Sequence, residues 1–198
     1  MTRDRSEAMN RRSGLLGVFD HVRYKEIYRQ ALGLILVAVC AWAALPGPER
    51  AIAGLAIAAL GQVFRTYAAG TIFKNRQLAT RGAYAMVRHP LYLGNILILG
   101  GFCLASGSVY VTVAVALFFL IWYPAAIRYE DQKLEGIFGD DWRQWSQERN
   151  AVLPGRFNFN ALHGVKWSAH QSLIRNGELY ITIYLAACAA WLWFGTRA

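Results

Sequence analysis

Two short polar clusters carry residue types able to do chemistry. Arg88-His89-Pro90-Leu91-Tyr92-Leu93-Gly94-Asn95 stands where a basic loop turns into an apolar run. Arg128-Tyr129-Glu130-Asp131 closes the next apolar run. Pro is favoured in the first helical turn, where its missing N–H costs nothing, so Pro90 is read as a helix start. The free N–H groups and positive dipole end there can hold an anionic group, flanked by Arg88 and His89. If the two runs form a hairpin, the clusters meet on one side of a membrane. Acids at a helix C-terminus are unfavourable with the dipole, so Glu130 and Asp131 need a cation: Arg88, Arg128 or a ligand. A zwitterionic, cationic ligand suits both ends, with Tyr84, Tyr92 and Trp142 as flat walls. An ion-paired helix junction with no ligand accounts for the same residues.

The surrounding elements are apolar. The chain has 198 residues, of which 56% are hydrophobic and 17% charged. Its mean hydropathy is +0.25. That length suits one domain, and that composition points to a membrane rather than a soluble fold. The net charge is +9. Its cations alternate with apolar runs, which argues for positive-inside topology and against a nucleic-acid partner. Cys40, Cys103 and Cys188 lie inside apolar runs without metal-ligand spacing, and are read as small buried hydrophobes.

Five runs are expected to span: 31–45 (extended to Tyr28, about 18 residues), 51–69, 90–106, 109–127 and 179–194. Ala41-Trp42-Ala43 resembles a signal cleavage site, but the long acid-bearing segment before it favours an uncleaved anchor. Residues 1–18 are expected to be flexible, and Phe19–Tyr28 to form a surface helix. Gly54, Ala58 and Gly61 are spaced for close helix contact. Arg65, near the end of that run, either snorkels to the interface or meets a ligand or partner carboxylate. Pro124 is expected to kink the fourth run a turn before its end. Leu134, Phe138, Trp142 and Trp145 form an amphipathic stripe, open to a break at Gly139, and 156–177 reads as a cytoplasmic interfacial segment. Of the 21 Lys and Arg, eighteen fall in 1–30, 70–89 and 128–177. Five spans with a cytoplasmic N-terminus and the C-terminus on the opposite side follow. The expected fold is therefore an all-α integral membrane bundle in one domain, 1–198.

The stretch Gly82-Ala83-Tyr84-Ala85-Met86-Val87-Arg88-His89-Pro90-Leu91-Tyr92-Leu93-Gly94 resembles the signature of the isoprenylcysteine carboxyl methyltransferase family, which is similar to the membrane phospholipid methyltransferases. Glu130-Asp131-Gln132-Lys133-Leu134, followed by Phe138-Gly139 and Trp142, resembles its second signature. Gly61 to Gly70, with Arg65, resembles the preceding helix. The resemblance covers roughly 55–155 and leaves 156–198 aside. It implies S-adenosylmethionine as methyl donor and a lipid or prenylated acceptor. It places His89, Tyr92 and Gly94 against the donor, Pro90 at the shaping helix start, and Glu130 on the donor amino group with Asp131 beside it. Arg88 would face the donor carboxylate or an anionic substrate group. The family has two Glu in succession where this chain has Glu130-Asp131. Direct transfer from a sulfonium needs reactants held in line and water excluded. A carboxylate acceptor needs only an Arg, such as Arg65 or Arg88, to orient it. An amine must lose a proton, which Glu130, Asp131 or His89 can accept. A non-catalytic partner protein or small transporter on the same scaffold is the competing expectation.

Overall fold

The computed structural model describes residues 26–72, 77–155 and 165–197, and every regular element among them is helical. In chain order these are α1 (Glu26–Trp42), α2 (Pro48–Thr71), a 3-10 turn (Gly82–Ala85), α3 (Pro90–Ser106), α4 (Val109–Phe138), α5 (Asp140–Gln147), a π turn (His170–Arg175) and α6 (Glu178–Gly195). The expected flexible 1–18 lies outside the described residues, as does all but the end of the expected surface helix at Phe19–Tyr28. The last three residues of that expected helix begin α1.

Helices α2, α4 and α6 are long and apolar enough to cross a membrane; α1 and α3 are apolar but shorter. At 17 residues, α3 extends about 25 Å, the low end of a bilayer's hydrocarbon thickness. Pro90 opens it and Gly107, with φ +67°, ends it. These local signals reproduce the boundaries of the apolar run.

Helices α2 and α3 meet through small residues. A Cβ added to Gly54 would collide with the Ala105 amide and Gly101 carbonyl, and one on Gly101 would collide with Gly54 and Ala58. Gly61 lies against Leu97 and Ile98. The Gly54, Ala58, Gly61 spacing thus produces the close seam expected of it, where backbone contact replaces side-chain packing. At the end away from the two polar clusters, Arg50 donates to the Leu45 carbonyl at 2.9 Å and the Pro46 carbonyl at 3.3 Å, tying down the turn before α2.

Helix α4 corrects the expected end of the fourth run. It continues for 30 residues to Phe138 with Pro124 inside it. Glu130 and Asp131 therefore sit within the helix rather than at its C-terminus. The reason is local: Gln132, Lys133, Leu134 and Glu135 are good helix formers, Gly136 stays helical, and the chain turns at Gly139, with φ +56°. The amphipathic stripe does break at Gly139, between α4 and α5.

The described part of 156–177 docks on the end of α2. Ser168 N–H donates to the Gly70 carbonyl (3.1 Å), Asn176 to Ala69 (2.7 Å) and Gln171 to Ile72 (3.0 Å). These bonds satisfy carbonyls that a helix C-terminus leaves without partners. Trp167 lies over Gly70, where a Cβ would collide with its indole.

Candidate active site

The start of α3 is held from behind. Arg88 and His89 donate their N–H groups to the carbonyls of Asn150 (3.0 Å) and Ala151 (2.9 Å), in the strap after α5. His89 caps α3 and is buried, and its Nε2 lies 2.8 Å from Asp131 Oδ1. Arg88 NH1 meets the other Asp131 oxygen at 3.1 Å. The start of α3 is thereby clamped to α4, and Arg88 is the cation that meets the acid at Asp131. One helical turn into α3, the Tyr92 hydroxyl donates to Glu130 Oε2 at 2.8 Å. The two polar clusters meet as the hairpin reading required.

Aromatic rings surround this junction. The His89 ring lies 5.4 Å from that of Tyr92 and 6.5 Å from that of Trp142, which is buried. The Arg29 guanidinium stands 5.0 Å over the Tyr92 ring. Burial, reinforced by the nearby Glu130 carboxylate, pushes the Tyr84 phenol well above its ordinary range. Tyr84 is therefore an O–H donor at any physiological pH.

A cavity of about 230 Å³ opens beside these residues. Its polar end is lined by Tyr84, Arg88, His89, Tyr92, Glu130 and Lys133. It continues between the helices to an apolar end formed by Leu34, Val37, Leu99, Phe118 and Leu185. Pro90, Trp142 and Arg65 also line it. Gly94 and Asp131 do not. Asp131 stands behind Arg88 and His89, and Gly94 gives passage to the Arg65 stem, whose Cγ a Cβ there would strike. Arg88 Nε and Trp145 Nε1, both on lining residues, are buried without a partner among the described residues.

Arg65 meets a partner carboxylate, one of the alternatives open to it. Its NH2 lies 2.6 Å from Glu178 Oε1, and its NH1 donates to Asn95. Glu178 went unremarked in the sequence. Its only signal there is an acid at the opening of the last apolar run. Arg29 and Tyr123 on the cavity wall were likewise missed. Both sit one or more turns inside otherwise unremarkable helices, where no local pattern marks them.

The fold and site define a helical protein of membrane-spanning character, with a polar junction opening into an apolar interior cavity. The chain belongs to the phospholipid methyltransferase family, whose model matches residues 28–141. It is 35% identical over 102 residues to the cobalt-zinc-cadmium resistance protein CzcN of Cupriavidus metallidurans, covering 51% of this chain and 46% of that protein. It is 36% identical over 86 residues to the nickel-cobalt-cadmium resistance protein NccN of Alcaligenes xylosoxydans xylosoxydans, covering 43% and 39%. The matches thus span less than half the length of these relatives. No solved structure matches the chain. Helix α6 lies beyond the family match.

Proposed function

We propose that this chain is an integral-membrane methyltransferase using S-adenosylmethionine and acting on a lipid or lipid-like acceptor, an isoprenoid carboxyl or a phospholipid amine. The carrying observation is the cavity, polar at the junction of α3 and α4 and apolar between α1, α3, α4 and α6. Such a shape serves a donor arriving from water and an acceptor arriving from the bilayer. Helices α1 and α3 complete five spans with α2, α4 and α6. The Lys and Arg distribution puts the N-terminus and the polar end in the cytoplasm and the C-terminus opposite.

The residues suit a zwitterionic, cationic donor. Tyr92 occupies one Glu130 oxygen and leaves the other for an ammonium group. The unpartnered Arg88 Nε and Trp145 Nε1 offer donors to a carboxylate or a ring nitrogen. Tyr84, Tyr92 and Trp142 supply aromatic walls, and Pro90 sets the helix start beneath them. When bound, the donor supplies an activated methyl group, whose bond to sulfur breaks as the bond to the acceptor forms, leaving a thioether. The chain's own work is to hold reactants in line and exclude water. Arg88 and Arg65 orient an acceptor's oxygen atoms, and Glu130 or His89 accepts the proton of an amine. Asp131 acts from behind by fixing Arg88 and His89, and Gly94 by admitting Arg65.

A second reading keeps the scaffold without catalysis, as a membrane partner protein or small transporter. It draws on the names of the relatives, which concern resistance to cobalt, zinc, nickel and cadmium. Calorimetric titration of S-adenosylmethionine and S-adenosylhomocysteine into the detergent-purified chain separates the two. The expected result is saturable binding of both, strongly weakened in His89→Ala and Glu130→Ala, with methyl incorporation into membrane lipid extract. Absence of binding in native lipid extract, from a folded protein, overturns the methyltransferase reading in favour of the second.

A further inference from the structure

The cavity wall contains a second polar node, set among apolar helices away from the α3–α4 junction. Arg65 reaches it from α2 by crossing α3 at Gly94. Glu178, the first residue of α6, receives Arg65 Nε at 3.2 Å and NH2 at 2.6 Å on its two oxygens. Gln62 donates to the same carboxylate at 3.1 Å and to the Thr182 hydroxyl at 2.8 Å. Asn95 accepts from Arg65 NH1. Side-chain exposure is 11% for Arg65 and 1% for Glu178. Arg65 and Asn95 line the cavity, and Glu178 stands behind them.

We infer that Glu178 is a positioning residue that fixes the Arg65 guanidinium and cancels its charge, so that the cavity prefers a neutral or zwitterionic acceptor head to an anionic one. The inference rests on the methyltransferase reading above. A two-point fork holds the guanidinium plane rigidly. Glu178 and Asn95 engage three of its five N–H groups, leaving two able to donate to an acceptor's oxygen. In a weakly polar surrounding, a bare guanidinium would draw any anion strongly. Paired with Glu178, its field largely vanishes a few ångströms away, and an entering carboxylate meets the repulsion of the carboxylate already there. The preference is therefore set by α6, outside the family-matched 28–141.

The test uses the full chain with S-adenosylmethionine and three acceptors in separate vesicles: phosphatidylethanolamine, phosphatidylserine and N-acetyl-S-farnesylcysteine, whose only charge is its carboxylate. The first is zwitterionic and the other two carry net negative charge. Wild type is expected to methylate the first preferentially. Glu178→Gln exposes the Arg65 charge while keeping the side-chain shape. It should shift the anionic-to-zwitterionic ratio of kcat/KM about tenfold toward the anionic heads, the scale of one charged hydrogen bond. Donor binding should persist, because Glu178 does not line the cavity. Arg65→Gln/Glu178→Gln removes both charges and should retain the wild-type ratio; it carries the test alone if Glu178→Gln does not fold. A wild-type preference for an anionic acceptor, an unchanged ratio in Glu178→Gln, or a shifted ratio in the double variant overturns the inference and leaves the methyltransferase reading intact. Donor bound with none of the three methylated also defeats the selectivity alone. Absence of both donor binding and transfer defeats the reading beneath it.

Discussion

At the cavity's polar end, Asp131 is 21% exposed and shared between Arg88 and His89, whose partner positions lie on the next helix. Deeper in, Arg65 and Glu178 stand 113 residues apart in sequence and meet almost without solvent, Glu178 being 1% exposed. The first cluster keeps about a fifth of the Arg88 and Asp131 side chains in solvent, which leaves it open to a ligand. The second has surrendered its water and depends on its partners. Partly exposed pairs contribute little to stability, whereas removing one member of a buried pair strands the other. The polar end is thus built for exchange and the inner node for permanence.

The sharpest way to break this contrast is Glu178→Ala. It leaves Arg65 charged in an apolar wall and is expected to cost about 3–5 kcal/mol of stability. Thermal unfolding in detergent measures it, and a loss no larger than that of Asp131→Ala would erase the distinction. Next in size is Glu130→Ala, which acts on binding rather than folding. Removing a charged hydrogen-bond acceptor should weaken donor affinity roughly 10- to 100-fold by calorimetry, with the melting temperature nearly unchanged. A large loss of stability would make Glu130 part of the permanent framework instead. Gly94→Ala lies between the two regions. Its Cβ would strike the Arg65 stem, with the Gly61 carbonyl at 3.2 Å. Overpacking of this kind is expected to cost about 1–3 kcal/mol. The penalty should shrink in an Arg65→Ala background, where the stem is gone; equal penalties in both backgrounds would locate the clash in the helix seam.

The same contrast explains what the sequence revealed. Pro90 and Gly107 are local signals, and α3 begins and ends at them. The small-residue spacing of Gly54, Ala58 and Gly61 is equally local, and it marked the seam with α3. The polar junction was legible because its residues form two short clusters at the borders of adjacent runs, so one hairpin brings them together. Helix α4 was misjudged because hydropathy reports where apolar residues stop. Helix propensity, carried past Arg128 by Gln132, Lys133, Leu134 and Glu135, lets the helix run on to the turn at Gly139. Glu178 carried no pattern at all. An acid at the opening of a run reads as ordinary dipole complement. Only the packing of α6 against α2 shows that it faces an arginine, and Arg29 and Tyr123 reach the wall by the same route. Contacts between distant elements leave no mark on either one.

The smallest expected effect isolates solvation most cleanly. Tyr92→Phe deletes one hydroxyl, which donates to Glu130 Oε2 at 2.8 Å, and leaves the ring that contacts His89, Tyr123 and Arg29. At the polar end water can take the vacated place on Glu130, which is only half-buried. The cost should therefore be the net value of one hydrogen bond, about 0.5–1.5 kcal/mol, or at most about a tenfold loss of donor affinity. The corresponding deletion at the inner node, Gln62→Leu, removes a donor from a carboxylate that water cannot reach, and its cost should appear in stability. If Tyr92→Phe lowers the melting temperature as much as Gln62→Leu does, the polar end is as dry as the inner node. The functional division between them would then rest on position along the cavity, not on access to solvent.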